Sequence, residues 1–170
     1  MTDALRKEVA SAARTIVVKV GTRVVTNDSG YLDDGRIARL AEQLNELVSR
    51  GRRVVLVSSG AVGAGMSELG LKARPTDLAR LQAVAAVGQA KLIEAYDRTF
   101  REHGRHAAQV LLTAQDLDDR AGYLNVRNTL FSLMEFNAIP IINENDTVAV
   151  DELMTTFGDN DRLAALVANL

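Results

Sequence analysis

The chain has no cysteine among its 170 residues, so disulfides, thiolate zinc sites and cysteine nucleophiles are excluded within it. It has no excess of either charge: 20 Lys and Arg against 22 Asp and Glu give a formal net charge of −2. Nucleic acids and anionic lipid surfaces call for clustered positive charge, so neither is expected as a partner. No apolar run approaches the roughly 20 residues of a membrane span. Residues 1–13 carry Asp3, Arg6, Lys7 and Glu8 where a secretory leader has an apolar stretch. The expectation is a cytoplasmic protein with no membrane partner. Internal repeats, low-complexity segments and interdomain linkers are also lacking. With 47% hydrophobic and 25% charged residues, residues 1–170 read as one domain able to bury a real core.

What is present alternates. Residues 16–20 are a β-branched run ending at Gly21, which predicts a strand buried on both faces and then a loop. Asp33 is placed to cap a helix whose apolar positions Ile37, Leu40, Ala41, Leu44, Leu47 and Val48 recur at helical spacing, and Gly51 is placed to stop it. A second strand is expected at 53–57, a long helix at 76–102, a third strand at 109–112, a helix at 123–137 and a fourth strand at 139–142. Apolar strands alternating with helices predict an α/β fold, a mostly parallel sheet sandwiched by helices in three layers. Ligands of such sheets sit beyond the carboxyl ends of the strands.

The polar clusters of this sequence fall at those ends. Lys19 stands in an otherwise apolar strand, where a buried ammonium costs several kcal/mol without an anion. It either snorkels to water or contacts a phosphate, and Gly21 favours the second by letting backbone amides come close to phosphate oxygens. The second strand runs into Ser58-Ser59-Gly60-Ala61-Val62-Gly63-Ala64-Gly65. Free amides at a helix start there attract an anion; alternatively the small residues only let helix pack closely on strand. The glycine order matches neither the dinucleotide fingerprint nor the P-loop.

Asn143-Glu144-Asn145-Asp146 follows the fourth strand, and Gly158-Asp159-Asn160-Asp161 precedes the helical pattern Leu163, Leu166, Val167. Asp159 or Asn160 can serve simply as a helix cap, a reading that does not cover residues 143–146. Together the clusters suit an ammonium, a carboxylate or a hydrated magnesium ion. His103 and His106 read as surface residues near a helix end, which leaves no base for a hydrolytic triad. Phosphoryl transfer, which rests on positioning and charge neutralisation, fits better.

The blocks Lys19-Val20-Gly21-Thr22, Ser58-Ser59-Gly60-Ala61, Ala85-Ala86-Val87-Gly88-Gln89, Leu111-Leu112-Thr113, Asn125-Val126-Arg127, Ile142-Asn143-Glu144-Asn145-Asp146 and Gly158-Asp159-Asn160-Asp161 occur in this order. In them the chain, from about residue 14 onward, resembles the glutamate-phosphorylating members of the amino acid kinase family. The resemblance implies phosphorylation of the γ-carboxylate of L-glutamate by ATP with Mg2+, as the first step of proline synthesis. It implies that Lys19, with Gly21 beside it, contacts the ATP phosphates and that Asp161 orients Lys19. It implies that Ser59, Asp146 and Asn160 bind glutamate, with Asp146 taking the ammonium. No metal-ligating side chain is implied, and a homo-oligomer is.

Two departures from the family pattern stand out. The connection between Asp146 and Gly158 is slightly longer than usual. In the family a further strand and a nucleotide-binding half follow, with a Thr-Asp motif and a second lysine, and none of these lies within residues 1–170. The resemblance therefore implies the N-terminal, glutamate-binding part of a kinase domain, truncated on its C-terminal side. The alternative is a non-catalytic glutamate-binding or regulatory module. The blocks at 143–146 and 158–161 argue against a uridylate or aspartate kinase.

Overall fold

The structure, a computed structural model, describes residues 3–149 and 159–170. Within them, strands β1 (Thr15–Val20), β2 (Arg53–Ser58), β3 (His106–Leu112) and β4 (Ala138–Glu144) form one parallel sheet in the order β1-β2-β4-β3. The helices are α1 (Asp3–Ala12), α2 (Thr22–Val25), α3 (Asp34–Ser49), α4 (Ala61–Glu68), α5 (Leu78–Glu102), α6 (Arg120–Glu135) and α7 (Asp159–Ala168), with a 3₁₀ turn at Ala114–Leu117.

Strand order and side-chain alternation together produce the three layers. The steps from β1 to β2 and from β2 to β3 run one way along the sheet, so right-handed crossovers put α3 and α5 on one face; the step back from β3 to β4 puts α6 on the other. Successive residues of β2 serve both layers. Val54 and Leu56 join Ile37, Leu44, Leu92 and Tyr96 in one core, while Val55 and Val57 join Leu130, Ile142, Leu163 and Val167 in the other. Each such aliphatic side chain contributes about 1.5–3 kcal/mol by leaving water. The expected α/β sandwich is the one observed.

Helix starts follow ordinary capping chemistry. The Asp33 side chain accepts from the Arg36 amide and the Asp77 side chain from the Arg80 amide, each satisfying an N–H that the helix leaves free. Gly51, at φ +80°, turns the chain out of α3 in the left-handed region that glycine tolerates.

Several expectations are corrected. β1 is covered on both faces, Val18 and Val20 packing into one core and Val17 into the other, but it is only partly buried. After Gly21 the chain makes the helical turn α2 instead of a loop, and this turn buries Val25. Residues 3–12, read only as lacking a leader's apolar stretch, form an exposed amphipathic helix. β3 begins at His106, three residues before the expected start, so this histidine opens a strand, although it is exposed as expected. The small residues of α4 pack helix against helix: a Cβ on Gly65 would overlap the Val84 carbonyl oxygen, and one on Gly88 the Ala61 carbonyl oxygen.

Candidate active site

The carboxyl ends of β1, β2 and β4 lie side by side, because the register sets Val20 against Ser58 and Val57 against Ile142. Just beyond β2 the ladder continues for one more bond, from the Ser59 amide to the Val20 carbonyl at 3.1 Å. Alternation then sends the two serines apart. Ser58 is fully buried and its hydroxyl lies 3.1 Å from the Tyr96 hydroxyl, inside the core. Ser59 faces the strand ends. Burial pushes the Tyr96 hydroxyl up to about 12, which keeps it neutral, while the Ser58 hydrogen bond pulls slightly the other way.

Asn160, in the first turn of α7, is 4% exposed and joins these ends together. Its Nδ2 donates to Ser59 Oγ at 2.7 Å and to Asn143 Oδ1 at 3.1 Å. The same Asn143 oxygen accepts from the Glu144 amide at 2.9 Å, which fixes its orientation. Asn160 therefore sits inside the helix with its side chain spent on the strand ends, instead of capping the helix. Asp159, the other expected cap, has its side chain outside the described residues, as does Gly158 altogether. Oδ1 of Asn160 is buried with no hydrogen-bond partner among the described residues. Such an oxygen costs about 1–3 kcal/mol unless something fills it.

Asp146 follows in the turn after β4, held there by a bond from the Asn145 amide to the Leu112 carbonyl at 2.9 Å. It is 8% exposed. Burial, reinforced by the Glu144 carboxylate, pushes its carboxyl up to about 6, while the facing Gln89 amide and the Arg74 guanidinium act in the opposite sense. A buried carboxylate of this kind gains most from an added cation.

Lys19 is not a buried ammonium: its side chain is 30% exposed and its Nζ meets Asp161 Oδ1 at 2.8 Å. The anion that the strand position demanded is thus supplied by α7. Gly21 is glycine for neither of the usual reasons. Its φ of −81° suits any residue, and the nearest atom to an added Cβ is Lys19 Nζ at 3.9 Å. The space it leaves opens beside the ammonium. Gly60, which precedes α4, has φ +113°, and a Cβ there would come within 2.9 Å of Val25. It turns β2 sharply into α4, whose first amides have no partner within the helix itself.

All six candidate residues, Lys19, Gly21, Ser59, Asp146, Asn160 and Asp161, thus lie at one end of the sheet. Two contributors were not singled out. Asn143 belongs to a quoted cluster but carried no role. Gln89 likewise ends a quoted block without a role; it is a polar residue on the buried stripe of α5, among Ala85, Gly88 and Leu92, and that misplaced polarity is the sequence signal that could have given it one. Among the described residues no group of three or more His, Cys, Asp or Glu side chains could hold a metal ion, and no helix is long and apolar enough to cross a membrane.

The profile of the amino acid kinase family matches residues 14–170. The chain belongs to the amino acid kinase family. Among its family relatives, a protein of Rhodopirellula baltica named glutamate 5-kinase is 59% identical over 167 residues, covering 98% of this chain and 43% of that protein. Proteins of the same name from Azoarcus and Methylobacillus flagellatus are 55% and 56% identical over 158 residues, covering 93% of this chain and 42% of theirs. The chain spans less than half the length of these relatives.

Proposed function

We propose that this chain forms the glutamate-binding, phosphate-facing part of a kinase that phosphorylates L-glutamate. The γ-carboxylate of glutamate attacks the γ-phosphorus of ATP, the bond to the ADP oxygen breaks, and glutamyl 5-phosphate forms, the first step of proline biosynthesis. The observation that carries this reading is the set of polar groups gathered at the strand ends, buried Asn143, Asp146 and Asn160 with half-buried Ser59, at the same end of the sheet as a lysine and an open glycine position.

In this reading Asp146 binds the substrate ammonium, and Ser59 and Asn160 hold its polar groups, using the unfilled Asn160 Oδ1. Lys19 neutralises the transferring phosphoryl group, Gly21 leaves room for a phosphate, and Asp161 sets the position of the Lys19 ammonium. The adenine base is given no residue within 1–170. Magnesium would be held chiefly by the nucleotide phosphates and water, as it commonly is, since the described residues form no cation cage; it would supply further charge neutralisation. The setting proposed is a cytoplasmic homo-oligomer, in keeping with the lack of cysteine.

Calorimetric titration with L-glutamate, together with an assay of MgATP-dependent phosphorylation in the full-length protein, tests this. Saturable glutamate binding that Asp146→Ala abolishes is expected. Binding without turnover in the full-length protein would favour a non-catalytic glutamate module, and a folded protein that binds no glutamate would overturn the reading.

A further inference from the structure

The turn α2 is four residues long and begins after Gly21, which offers it no side-chain cap. A helix so short does not hold itself, since isolated helices under roughly 12 residues are marginal in water. Contacts from other elements place it. Val25 is fully buried, and its Cγ2 comes within 2.9 Å of the point a Gly60 Cβ would occupy. The next turn seats on α4 in the same way, with the Gly30 carbonyl oxygen 2.6 Å from the point a Gly63 Cβ would occupy. Arg36, in the first turn of α3, closes the arrangement. Its Nη1 donates to the carbonyls of Arg23, at 3.1 Å, and of Thr26, which bracket Val25 and which so short a helix leaves without partners of its own. Asp33 Oδ2 lies 3.3 Å from its Nε and Asp28 Oδ1 3.9 Å from its Nη2. Ion pairs this open to water contribute only about 0–1 kcal/mol, so the consequence of the guanidinium lies in what it places.

We propose that Arg36 is a positioning residue for the phosphate side of this site: by holding α2 and the turn at 27–31 against the start of α4, it sets the backbone leaving β1 at Gly21 against the backbone leaving β2 at Gly60, the two exits between which the ATP phosphates must fit. This rests on the reading above of Lys19 and Gly21 as the phosphate-facing groups. Arg36 itself need touch no phosphate. It acts through Gly21 and Gly60, whereas the groups assigned to glutamate are held by other means. Ser59 is tied to β1 by its own amide, bonded to the Val20 carbonyl, and Asn160 is tied to Ser59 and Asn143. Loss of the Arg36 clamp should therefore be felt by the nucleotide and hardly by glutamate.

Arg36→Met keeps the apolar stem and removes every donor. In the full-length protein, MgATP kinetics are measured at saturating glutamate, and glutamate affinity is measured separately by calorimetry. The variant is expected to lose roughly 10- to 100-fold in kcat/KM for MgATP, the usual effect of a small misplacement of reacting groups, with the glutamate Kd within about twofold. Arg36→Lys, which keeps the charge and a single point of donation, should recover part of the loss. If Arg36→Met does not fold, Asn27→Ala releases the Ser29 and Tyr31 amides from the Asn27 side chain in the exposed turn and should show the same MgATP-selective loss in weaker form. Equal losses toward both substrates would mark a general defect of the fold and overturn the inference, as would MgATP kinetics indifferent to these substitutions in an active enzyme. An unmodified full-length protein that neither binds glutamate nor transfers phosphate to it would overturn the underlying reading, and the inference with it.

Discussion

Lys19, near the carboxyl end of β1, and Asp161, in the first turn of α7, meet at 2.8 Å with side chains 30% and 67% exposed. A pair so open to water contributes only about 0–1 kcal/mol to stability. Its value lies in where it places the ammonium. Lys19→Ala in the full-length protein should lower kcat by about 100- to 1,000-fold, the usual effect of removing a charge that stabilises a transition state, with glutamate KM within a few-fold. Asp161→Asn should lower kcat less and shift the denaturation free energy by under about 1 kcal/mol. Steady-state kinetics and urea melts check both, and a Lys19→Ala enzyme changed only in glutamate KM would refute the phosphate role.

Asp146 should make glutamate binding and stability respond oppositely to pH. Its carboxyl is raised by burial from 3.8 to about 6, so the folded protein without ligand holds this proton more tightly than the unfolded chain. The associated stability is full below about 4 and is lost as pH rises through about 6. Glutamate needs the ionised form and should bind progressively less tightly as pH falls below about 6. Asp146→Asn should flatten both profiles between those values and weaken glutamate binding at pH 7 by about 2–5 kcal/mol. Thermal melts and calorimetry across pH 4 to 8 measure the two curves.

The neighbouring serines should separate fold from function. Ser58→Ala removes a hydrogen bond to the buried Tyr96 hydroxyl and should cost about 1–3 kcal/mol of stability, because Tyr96 is left without that partner. Its effect on glutamate affinity should be small. Ser59→Ala takes one acceptor from Asn160 and should weaken glutamate binding about tenfold with less than about 1 kcal/mol lost in stability. Melting curves and binding isotherms on the same two variants decide.

Gly88→Ala forces a methyl group into the Ala61 carbonyl, so α4 and α5 must separate. A loss of about 3 kcal/mol or more is expected, the upper range of overpacking. Gly51→Ala meets no atom within 4 Å and carries only the strain of φ +80°, about 1 kcal/mol. Denaturant midpoints of the two variants should differ accordingly.

The layers were legible because each strand is an apolar run and each helix repeats its apolar positions at helical spacing: β2 needs Val54 and Leu56 on one face and Val55 and Val57 on the other, and the sequence supplies all four. The polar residues at the strand ends were legible because they interrupt those runs abruptly. The partner of Lys19 and the use of Asn160 were not to be had from local pattern, since Asn160 and Ser59 stand 101 residues apart and capping explains an asparagine at a helix start equally well. The helix-on-helix role of Gly65 and Gly88 depends on which elements become neighbours, which composition does not specify. Gln89 stood in a quoted block without a role for a different reason: on a long helix otherwise readable as core, one amide looks like tolerance.

Helix α7 carries Asn160 and Asp161 on its first turn and Leu163 and Val167 on the face buried against the sheet. Docking of ten residues therefore both seals one hydrophobic layer and assembles the polar end of the sheet. During synthesis the strands and their serines emerge before this segment, so the polar cluster forms only once α7 has docked. In the mature protein any excursion of α7 opens the second core and disbands the polar cluster in a single event, and occupancy of the cluster should slow amide exchange along the whole helix.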